Sequence, residues 1–289
     1  MASLTYAVFA FNFIQVLDPA AAHGRLYEPP SRASMWRLGY KTPPNYDDNQ
    51  LFCGGFQVQY AGNGGKCGVC GDPWNLNPRP HEAGGSFATG TIVRKYAVSG
   101  SITVVVELTA NHKGYFEFRL CPSDDPKAVK LQDCLNKYPL TSNTTGATRF
   151  HVPHGDYLTT QILRYDLQLP NGVKCRACML QWKYNAGNSW GVDPDGTACV
   201  GCGDQEQFYG CSDIAIGYDD VVLGVSSMSF DYSVASTPSP VGPKVNSSEN
   251  KDNMYTYCLH GTASSFYLGY LILISMGVFV EISAISNLM

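Results

Sequence analysis

The stretch "SITVVVELTANHKGYFEFRLC", residues 101–121, contains two strong β-strand signals separated by a short turn. Residues 101–110 are rich in β-branched side chains, and "YFEFRLC" (115–121) alternates aromatic or aliphatic residues with charged ones. Such alternation is typical of a strand with one buried face. His112 follows the first run and Gly114 precedes the second. We therefore predict that His112 lies in a loop at one end of a sheet, with its ring on the surface.

Outward from this pair, short β-rich runs are separated by Gly, Pro and Asn, without long helical periodicity. They are "TIVRKYAV" (91–98), "QILRYDLQL" (161–169), "CMLQWKYNA" (178–186) and "SDIAIGY" (212–218). Several strands at this spacing predict an all-β fold, an antiparallel β-sandwich of immunoglobulin or fibronectin III type. Residues 27–87 carry few strand signals and many Gly, Pro and aromatic residues. We predict a long, disulfide-pinned excursion from the sandwich there.

Residues 1–22 are predicted to be a secretory signal peptide. Residues 4–17 are largely apolar, and Ala20-Ala21-Ala22 provides the small residues expected before a cleavage site. No Lys or Arg precedes the apolar run, and the alternative is an N-terminal hydrophobic strand of the fold. Cleavage after Ala22 makes His23 the first residue of the mature chain. The net charge of −4 and the pI near 5.8 give no field that attracts nucleic acid.

Ten of the eleven cysteines lie in the body of the chain, and an even set in a secreted protein predicts disulfides. Spacing does not determine the connectivity. Cys121–Cys134 is the one pair we predict, because these two are isolated from the other clusters. The alternative is a zinc ribbon, since Cys175-x-x-Cys178 and Cys199-x-x-Cys202 have the spacing of such a site.

The C-terminal end changes character near residue 234. Residues 234–262 are polar and rich in Pro and Ser, which predicts a linker after a domain at 23–233. Residues 263–289 form a short apolar tail without a following Lys or Arg, which favours a GPI-attachment signal near Asn246. The alternatives are a transmembrane helix or an unusual translated end. Cys258 leaves with the tail if it is removed, and Asn143 and Asn246 begin glycosylation sequons.

Two histidines are candidate metal ligands. A mature chain that begins at His23 offers both a ring nitrogen and a free α-amine, and His112 offers a second ring. If the two residues meet, three nitrogens in a T-shape suit Cu(II), which binds such ligands most tightly among the divalent metals. The amine has a free pKa of about 7.7–8.0, so a metal displaces its proton at neutral pH.

Three segments carry a specific family resemblance. "HGRLYEPPSRASMWRLG" after the signal peptide, "LTANHKGYFEFRLC", and "CGDQEQFYGCSDIAI" together resemble the lytic polysaccharide monooxygenases, specifically the animal-type auxiliary-activity family 15. The resemblance covers residues 23 to about 232. It implies that His23 and His112 form a copper-binding histidine brace.

The same resemblance assigns further residues. Phe208 falls at the position whose ring lies axial to copper, with Tyr209 as the adjacent alternative. Ala110 resembles the small residue that shields the other axial face. Glu206 fits a group that hydrogen-bonds to bound oxygen species.

The implied activity is oxidative cleavage of crystalline polysaccharide, chitin first and cellulose second. The resemblance implies that an external electron donor reduces one copper ion, and that hydrogen peroxide or dioxygen then supports hydroxylation of a glycosidic carbon. A membrane is involved only through the C-terminal tail. Aromatic rings of the early excursion are candidates for stacking on sugars, namely Trp36, Tyr40 and Tyr46.

Other chemistry has weaker support in the sequence. His151-x-x-His154 is interpreted as a loop because Pro153 lies between the two, and His81-Glu82 is interpreted as surface. A glycoside hydrolase needs two carboxylates across a cleft, and no spacing selects a pair such as Glu107 and Glu117. The alternative from another class is a non-catalytic chitin- or cuticle-binding matrix protein, which has no need of His23 at the mature terminus.

Overall fold

A computed structural model of the chain describes residues 23–155 and 159–224. Within these ranges the strands are, in chain order, β1 (His23–Glu28), β2 (Arg94–Tyr96), β3 (Ser101–Ala110), β4 (Tyr115–Cys121), β5 (Thr141–Ser142), β6 (Phe150–His151), β7 (Gln161–Gln168), β8 (Cys175–Asn185), β9 (Trp190–Val192), β10 (Ala198–Val200) and β11 (Gln207–Ile216). The helical elements are short: a 3₁₀ turn at Met35–Leu38, a π turn at Gln57–Gly62 and the helix α1 at Gln132–Asn136.

The strands form two main sheets and one hairpin. One sheet has the order β1-β3-β7-β5, the other β2-β11-β8-β4-β6, and β9 pairs with β10 alone. The pairs are antiparallel except β2–β11, which is parallel. The predicted all-β sandwich is confirmed, as are strands in each of the six β-rich runs. β1 and the β9–β10 hairpin were not predicted.

The core lies between the two main sheets and follows the period-two pattern of their strands. The four-stranded sheet contributes side chains such as Val104 and Leu108, and the five-stranded sheet contributes Phe116, Phe118 and Trp182. All are essentially inaccessible to solvent. This dry aromatic core is rigid because close-packed interiors resist deformation. It therefore holds the strand ends in fixed positions.

The predicted excursion covers the outer face of the five-stranded sheet. Buried Arg32 makes two hydrogen bonds to Asp213 of β11, at 2.6 and 2.7 Å. The side-chain nitrogen of Gln181 on β8 donates to the carbonyl of Val69 at 2.7 Å, and a disulfide joins Cys70 to β11. Most residues of β8 and β11 are consequently buried, including polar ones such as Gln181 and Asp213 that bond to the excursion.

All ten body cysteines form disulfides. The predicted Cys121–Cys134 bond is confirmed. The zinc-ribbon alternative is wrong, because each of its two Cys-x-x-Cys motifs closes on itself as a disulfide and leaves no thiolate for a metal. The remaining pairs are Cys53–Cys67 and Cys70–Cys211. Both pin the excursion, as expected for residues 27–87.

The chain divides into two units at Met1–Phe230 and Asp231–Met289. The predicted signal peptide, linker, apolar tail and Asn246 lie outside the described residues. Asn143 is exposed, and glycosylation of its side chain stays a prediction. In the ranges 23–155 and 159–224, the helices are too short or too polar to cross a membrane.

Candidate metal centre

His23 and His112 are brought together by the pairing of β1 with β3. His23 at the start of β1 lies opposite Ala110, the last residue of β3. His112 follows two residues later, so both histidines lie at the same end of the sandwich. The two predicted ligands, which are 89 positions apart in the chain (112 − 23), are therefore neighbours in space.

The first strand is held at this place by contacts on both sides. The Gly24 N–H donates to the carbonyl of Asn49 at 2.8 Å, and the Asn49 side chain donates to the Thr109 hydroxyl at 2.9 Å. A Cβ on Gly24 would lie 2.6 Å from the Leu108 side chain. The close approach is consistent with the glycine after His23, because a larger residue would displace the buried Leu108 side chain.

The ring of His112 is buried, so the prediction of a surface ring is wrong. Only 4% of the residue is exposed. Its backbone N–H donates to the Tyr184 hydroxyl at 3.0 Å, and its carbonyl accepts from the Gly187 N–H at 2.9 Å. Its ring Nδ1 lies 2.8 Å from the side-chain nitrogen of Asn188. The segment after β8 covers the ring, which sequence spacing does not reveal.

The electrostatics of the site favour a neutral imidazole at His112. Burial lowers the pKa of the His112 ring, and the positive charge of a protonated His23 lowers it further. Since a ligating imidazole must carry a free lone pair, the environment holds His112 in the form that can bind a metal.

The His23 ring presents a defined nitrogen. Its Nε2 lies 3.3 Å from the side-chain oxygen of Gln50, which leaves Nδ1 available when Nε2 carries the proton. Nδ1 and the α-amine of the same residue belong to one six-membered chelate ring when both bind one metal. Among the described residues, no three His, Cys, Asp or Glu side chains gather into a metal site. If cleavage after Ala22 makes His23 the first residue, its α-amine would add a third nitrogen to the two rings, and three nitrogen donors fit copper.

Phe208 is the aromatic residue beside His23. The two ring centroids are 6.4 Å apart, and Phe208 is fully buried against Phe52 and Tyr184, each with a centroid distance of 5.8 Å. Tyr209, the alternative, points to the opposite face of β11, where its hydroxyl donates to the side-chain oxygen of Gln207 at 2.8 Å. Because neighbouring side chains of a strand point to opposite faces, Phe208 and not Tyr209 faces His23.

Glu206 lies near the Tyr184 hydroxyl that contacts His112. Burial raises the pKa of Tyr184, and the Glu206 carboxylate raises it further. Tyr184 therefore remains a neutral hydroxyl at physiological pH. The carbonyl of Glu206 also accepts from the Ala186 N–H at 2.9 Å, which ties this residue to the segment that covers His112.

Comparison with known proteins gives a coherent result. Residues 23–214 match the family model described as "Lytic polysaccharide mono-oxygenase, cellulose-degrading". Among solved structures, an auxiliary-activity family 15 lytic polysaccharide monooxygenase from Thermobia domestica, in the Cu(I) state, is 46% identical, with a TM-score of 0.64 over 67% of this chain and 98% of that chain.

The chain belongs to the lytic polysaccharide monooxygenases of auxiliary-activity family 15. A cellulose-active copper enzyme of the wider class aligns at 19% identity with a TM-score of 0.40, over 67% of this chain and 98% of that one. A search of curated proteins gave no match. The protein is accordingly a copper-dependent enzyme that cleaves polysaccharide oxidatively, with one copper ion and an external electron donor.

The aromatic residues predicted to contact substrate separate into different environments in this monooxygenase. Tyr46 is 75% exposed and packs edge-on against the half-buried Trp36, with 5.1 Å between ring centroids. Tyr46 precedes Asp47, whose carboxylate accepts from the Gln50 side chain that contacts His23. Tyr40 was wrongly predicted: it is buried, and its hydroxyl contacts the carbonyl of Val93.

A surface beside His112 was missed by sequence reasoning. In the β9–β10 hairpin, Trp190 pairs with Val200 and Val192 pairs with Ala198, so the four exposed side chains share one face. Trp190 itself is 69% exposed. "WGVDPDGTACV" (190–200) contains the signal that was overlooked, a Pro-Asp-Gly turn between short β-rich runs.

The other histidines in the part of the chain that the structure describes are not grouped with His23 and His112. His151 and His154 are exposed, as expected for a loop. The interpretation of His81 as surface is wrong: it is buried, and its Nδ1 lies 2.7 Å from the Asp72 carboxylate. This contact joins two parts of the excursion at residues 27–87.

The acidic residues considered for a hydrolase are bound elsewhere. Glu107 lies 3.8 Å from Arg25, and Glu117 is paired with Arg119 and Arg149. These ion pairs give each carboxylate a structural partner.

Proposed function

We propose that this monooxygenase cleaves crystalline chitin first and cellulose second, with copper bound by the α-amine and Nδ1 of His23 and by Nε2 of His112. The observation that supports the proposed copper ligands is the β1–β3 register, in which His23 pairs with Ala110, two residues before the buried His112, whereas the order of substrates rests on the family resemblance. Copper in this site supplies one-electron oxidative chemistry with hydrogen peroxide or dioxygen once a donor has reduced it.

The surrounding side chains orient the ligands and limit what else binds. Gln50 contacts the His23 ring at Nε2, and Phe208 presents beside it an apolar ring that would add no ligand to a bound metal. Ala110, opposite His23 in the β1–β3 register, is the small residue that we propose to shield the other face of the metal. Glu206, whose charge contributes to raising the pKa of Tyr184, is the residue we propose to hydrogen-bond to the oxygen co-substrate.

The proposed site suits a flat, insoluble substrate. Two cavities, of about 300 Å³ and 460 Å³, are lined by neither His23 nor His112. Exposed aromatic rings lie close in the chain to residues that contact the histidines: Tyr46 precedes Asp47, which accepts from Gln50 beside His23, and Trp190 follows Asn188 beside His112 by two residues. Aromatic faces with polar surroundings suit sugar rings, whose C–H faces are apolar and whose rims are hydroxylated.

We further propose that the enzyme acts outside the cell after removal of residues 1–22, and that a GPI anchor tethers it. Five disulfides support an oxidising compartment. Exposure of Asn143 is consistent with glycosylation on the same route.

Substrate preference is tested by product analysis. With copper, ascorbate and hydrogen peroxide, we expect soluble oxidised oligosaccharides from crystalline chitin in larger yield than from cellulose, measured by mass spectrometry. The metal-free protein and the reaction without ascorbate are the controls. Equal or greater yield from cellulose would contradict the preference. Chitin binding without oxidised products would favour the matrix-binding alternative.

Trp190→Ala tests the substrate surface. We expect it to weaken binding to chitin by at least about five-fold, the effect of losing about 1 kcal/mol from an exposed aromatic anchor. Copper affinity should not change, since the ring contacts solvent. Trp74→Ala is the matched control, because this tryptophan is also partly exposed, at 41%, and lines a cavity with Met179. Met179 is six residues along β8 from Asn185, the end of the strand near His112, so it lies roughly 20 Å from that end. Equal loss in both variants would contradict a surface centred on the histidines.

A further inference from the structure

Asn188 lies against the His112 ring with one side-chain atom unsatisfied. Its side-chain nitrogen is 2.8 Å from His112 Nδ1. Its Oδ1 is buried and has no hydrogen-bond partner among the described residues. Buried polar atoms are nearly always paired, so an orphaned amide oxygen beside a candidate ligand requires a physical explanation.

The explanation follows from imidazole chemistry. A neutral imidazole has one N–H and one lone pair, and the nitrogen that binds a metal must supply the lone pair. If His112 binds copper through Nε2, its Nδ1 carries the hydrogen and needs an acceptor. An amide nitrogen cannot accept that hydrogen, whereas an amide oxygen can. A half-turn of the Asn188 amide places Oδ1 against Nδ1 and gives the orphaned oxygen its partner.

We propose that Asn188 is a positioning residue for copper, whose Oδ1 accepts the hydrogen of His112 Nδ1 and thereby points the Nε2 lone pair towards His23. The proposal rests on the ligand set proposed above. It extends that set to a group which does not touch the metal but decides which ring nitrogen is free.

The main chain around Asn188 cannot move away from the ring. On one side, the Gly187 N–H donates to the carbonyl of His112 at 2.9 Å. On the other, the Ser189 N–H donates to the side-chain oxygen of Gln205 at 3.1 Å. Gln205 is itself buried, and its nitrogen donates to the carbonyls of Ser189 and Cys202 at 2.9 and 2.6 Å. Asn188 is therefore clamped between the metal site and the base of the hairpin that carries Trp190.

His81 supplies an internal comparison. Its Nδ1 faces the Asp72 carboxylate at 2.7 Å, and its Nε2 faces the side-chain nitrogen of Asn45 at 3.0 Å. An ionised carboxylate has no hydrogen to donate, so His81 carries its hydrogen on Nδ1 and accepts a hydrogen bond on Nε2. The same protein thus contains a second buried histidine whose tautomer is set by its neighbours and is independent of Asn188.

The test uses protein purified from cells that express the full chain, freed of copper and labelled with ¹⁵N in its histidine rings. At pH 8, where ordinary imidazoles are neutral, NMR of the ring nitrogens reports the tautomer of His112. We expect Nδ1–H in the wild type and in Asn188→Asp, which keeps an acceptor oxygen. Asn188→Leu, of similar size without an acceptor, should give a mixture with Nε2–H. His81 should remain Nδ1–H in all three proteins.

Copper titration provides the second readout. We expect Asn188→Leu to bind Cu(II) roughly 10–100-fold more weakly than wild type and Asn188→Asp to restore most of that loss. An Nε2–H tautomer at His112 in the wild type would overturn the proposal. An Asn188→Leu protein with unchanged tautomer and affinity would overturn it as well. Failure of the proposed ligand set shows differently, as a His112→Ala protein whose copper affinity is unchanged.

Discussion

A protein with one alanine inserted before His23 is expected to bind copper far more weakly than the protein whose chain begins at His23. The insertion converts the α-amine into an amide nitrogen, which is not basic and does not replace a neutral amine as a ligand. It also breaks the chelate between that nitrogen and Nδ1 of the same residue. The loss of affinity should exceed the roughly 10–100-fold caused by removing a supporting residue around a metal site.

The measurement is a Cu(II) titration of both proteins, with their N-termini sequenced and an electron paramagnetic resonance spectrum of each loaded form. We expect a single tight site with an axial spectrum only where His23 is first. Thermal unfolding of the copper-free proteins is the control, and it should be the same for both because the insertion precedes β1. Equal copper affinity in the two proteins would show that the amine is not a ligand.

His112→Ala is expected to abolish tight copper binding while the domain still folds. The substitution removes one of three nitrogens and leaves Asn188 and the surrounding main chain facing an empty space. Since the ring is buried, it also costs stability, about 1–3 kcal/mol for unsatisfied polar groups. That corresponds to a lowering of Tm by several degrees in a domain of this size.

Copper titration and thermal unfolding of the same protein separate the two effects. His151→Ala, at an exposed histidine, is the matched control and should change neither copper affinity nor Tm appreciably. Retained tight binding by His112→Ala would exclude this ring from the ligand set. Complete unfolding would instead identify His112 as a core residue on which the fold depends.

Elements with strong local patterning were predictable from the sequence. The runs at 101–110 and 115–121 form β3 and β4 at the predicted residues, because β-branching and period-two alternation act within a strand. The short β1 was missed, because "HGRLYE" (23–28) has little alternation and pairs only through its neighbours. The β9–β10 hairpin was missed because each strand has three residues.

The residues of the candidate site were predictable from the sequence, but their burial and their hydrogen-bond partners were not. The motifs around His23, His112 and Phe208 implied their association, and the β1–β3 register and the burial of Phe208 beside His23 are consistent with it. Asn188 carried no signal, since an asparagine in a Gly-rich segment is ordinarily read as a turn residue. Its contact with His112 arises only when the segment after β8 packs against the turn between β3 and β4.

The sequence by itself determined the strand-rich class and the disulfide-forming cysteines, because composition and periodicity are properties of the chain alone, and its resemblance to a known family pointed to His23 and His112 as candidate ligands. Only the tertiary structure decided that Tyr40, His81 and His112 are buried, that Trp190 is exposed, and that Gly187 bonds to the His112 carbonyl. The physical reason is that exposure depends on which distant segment packs over a residue. That packing is governed by the register of the sheets and the path of the excursion across them.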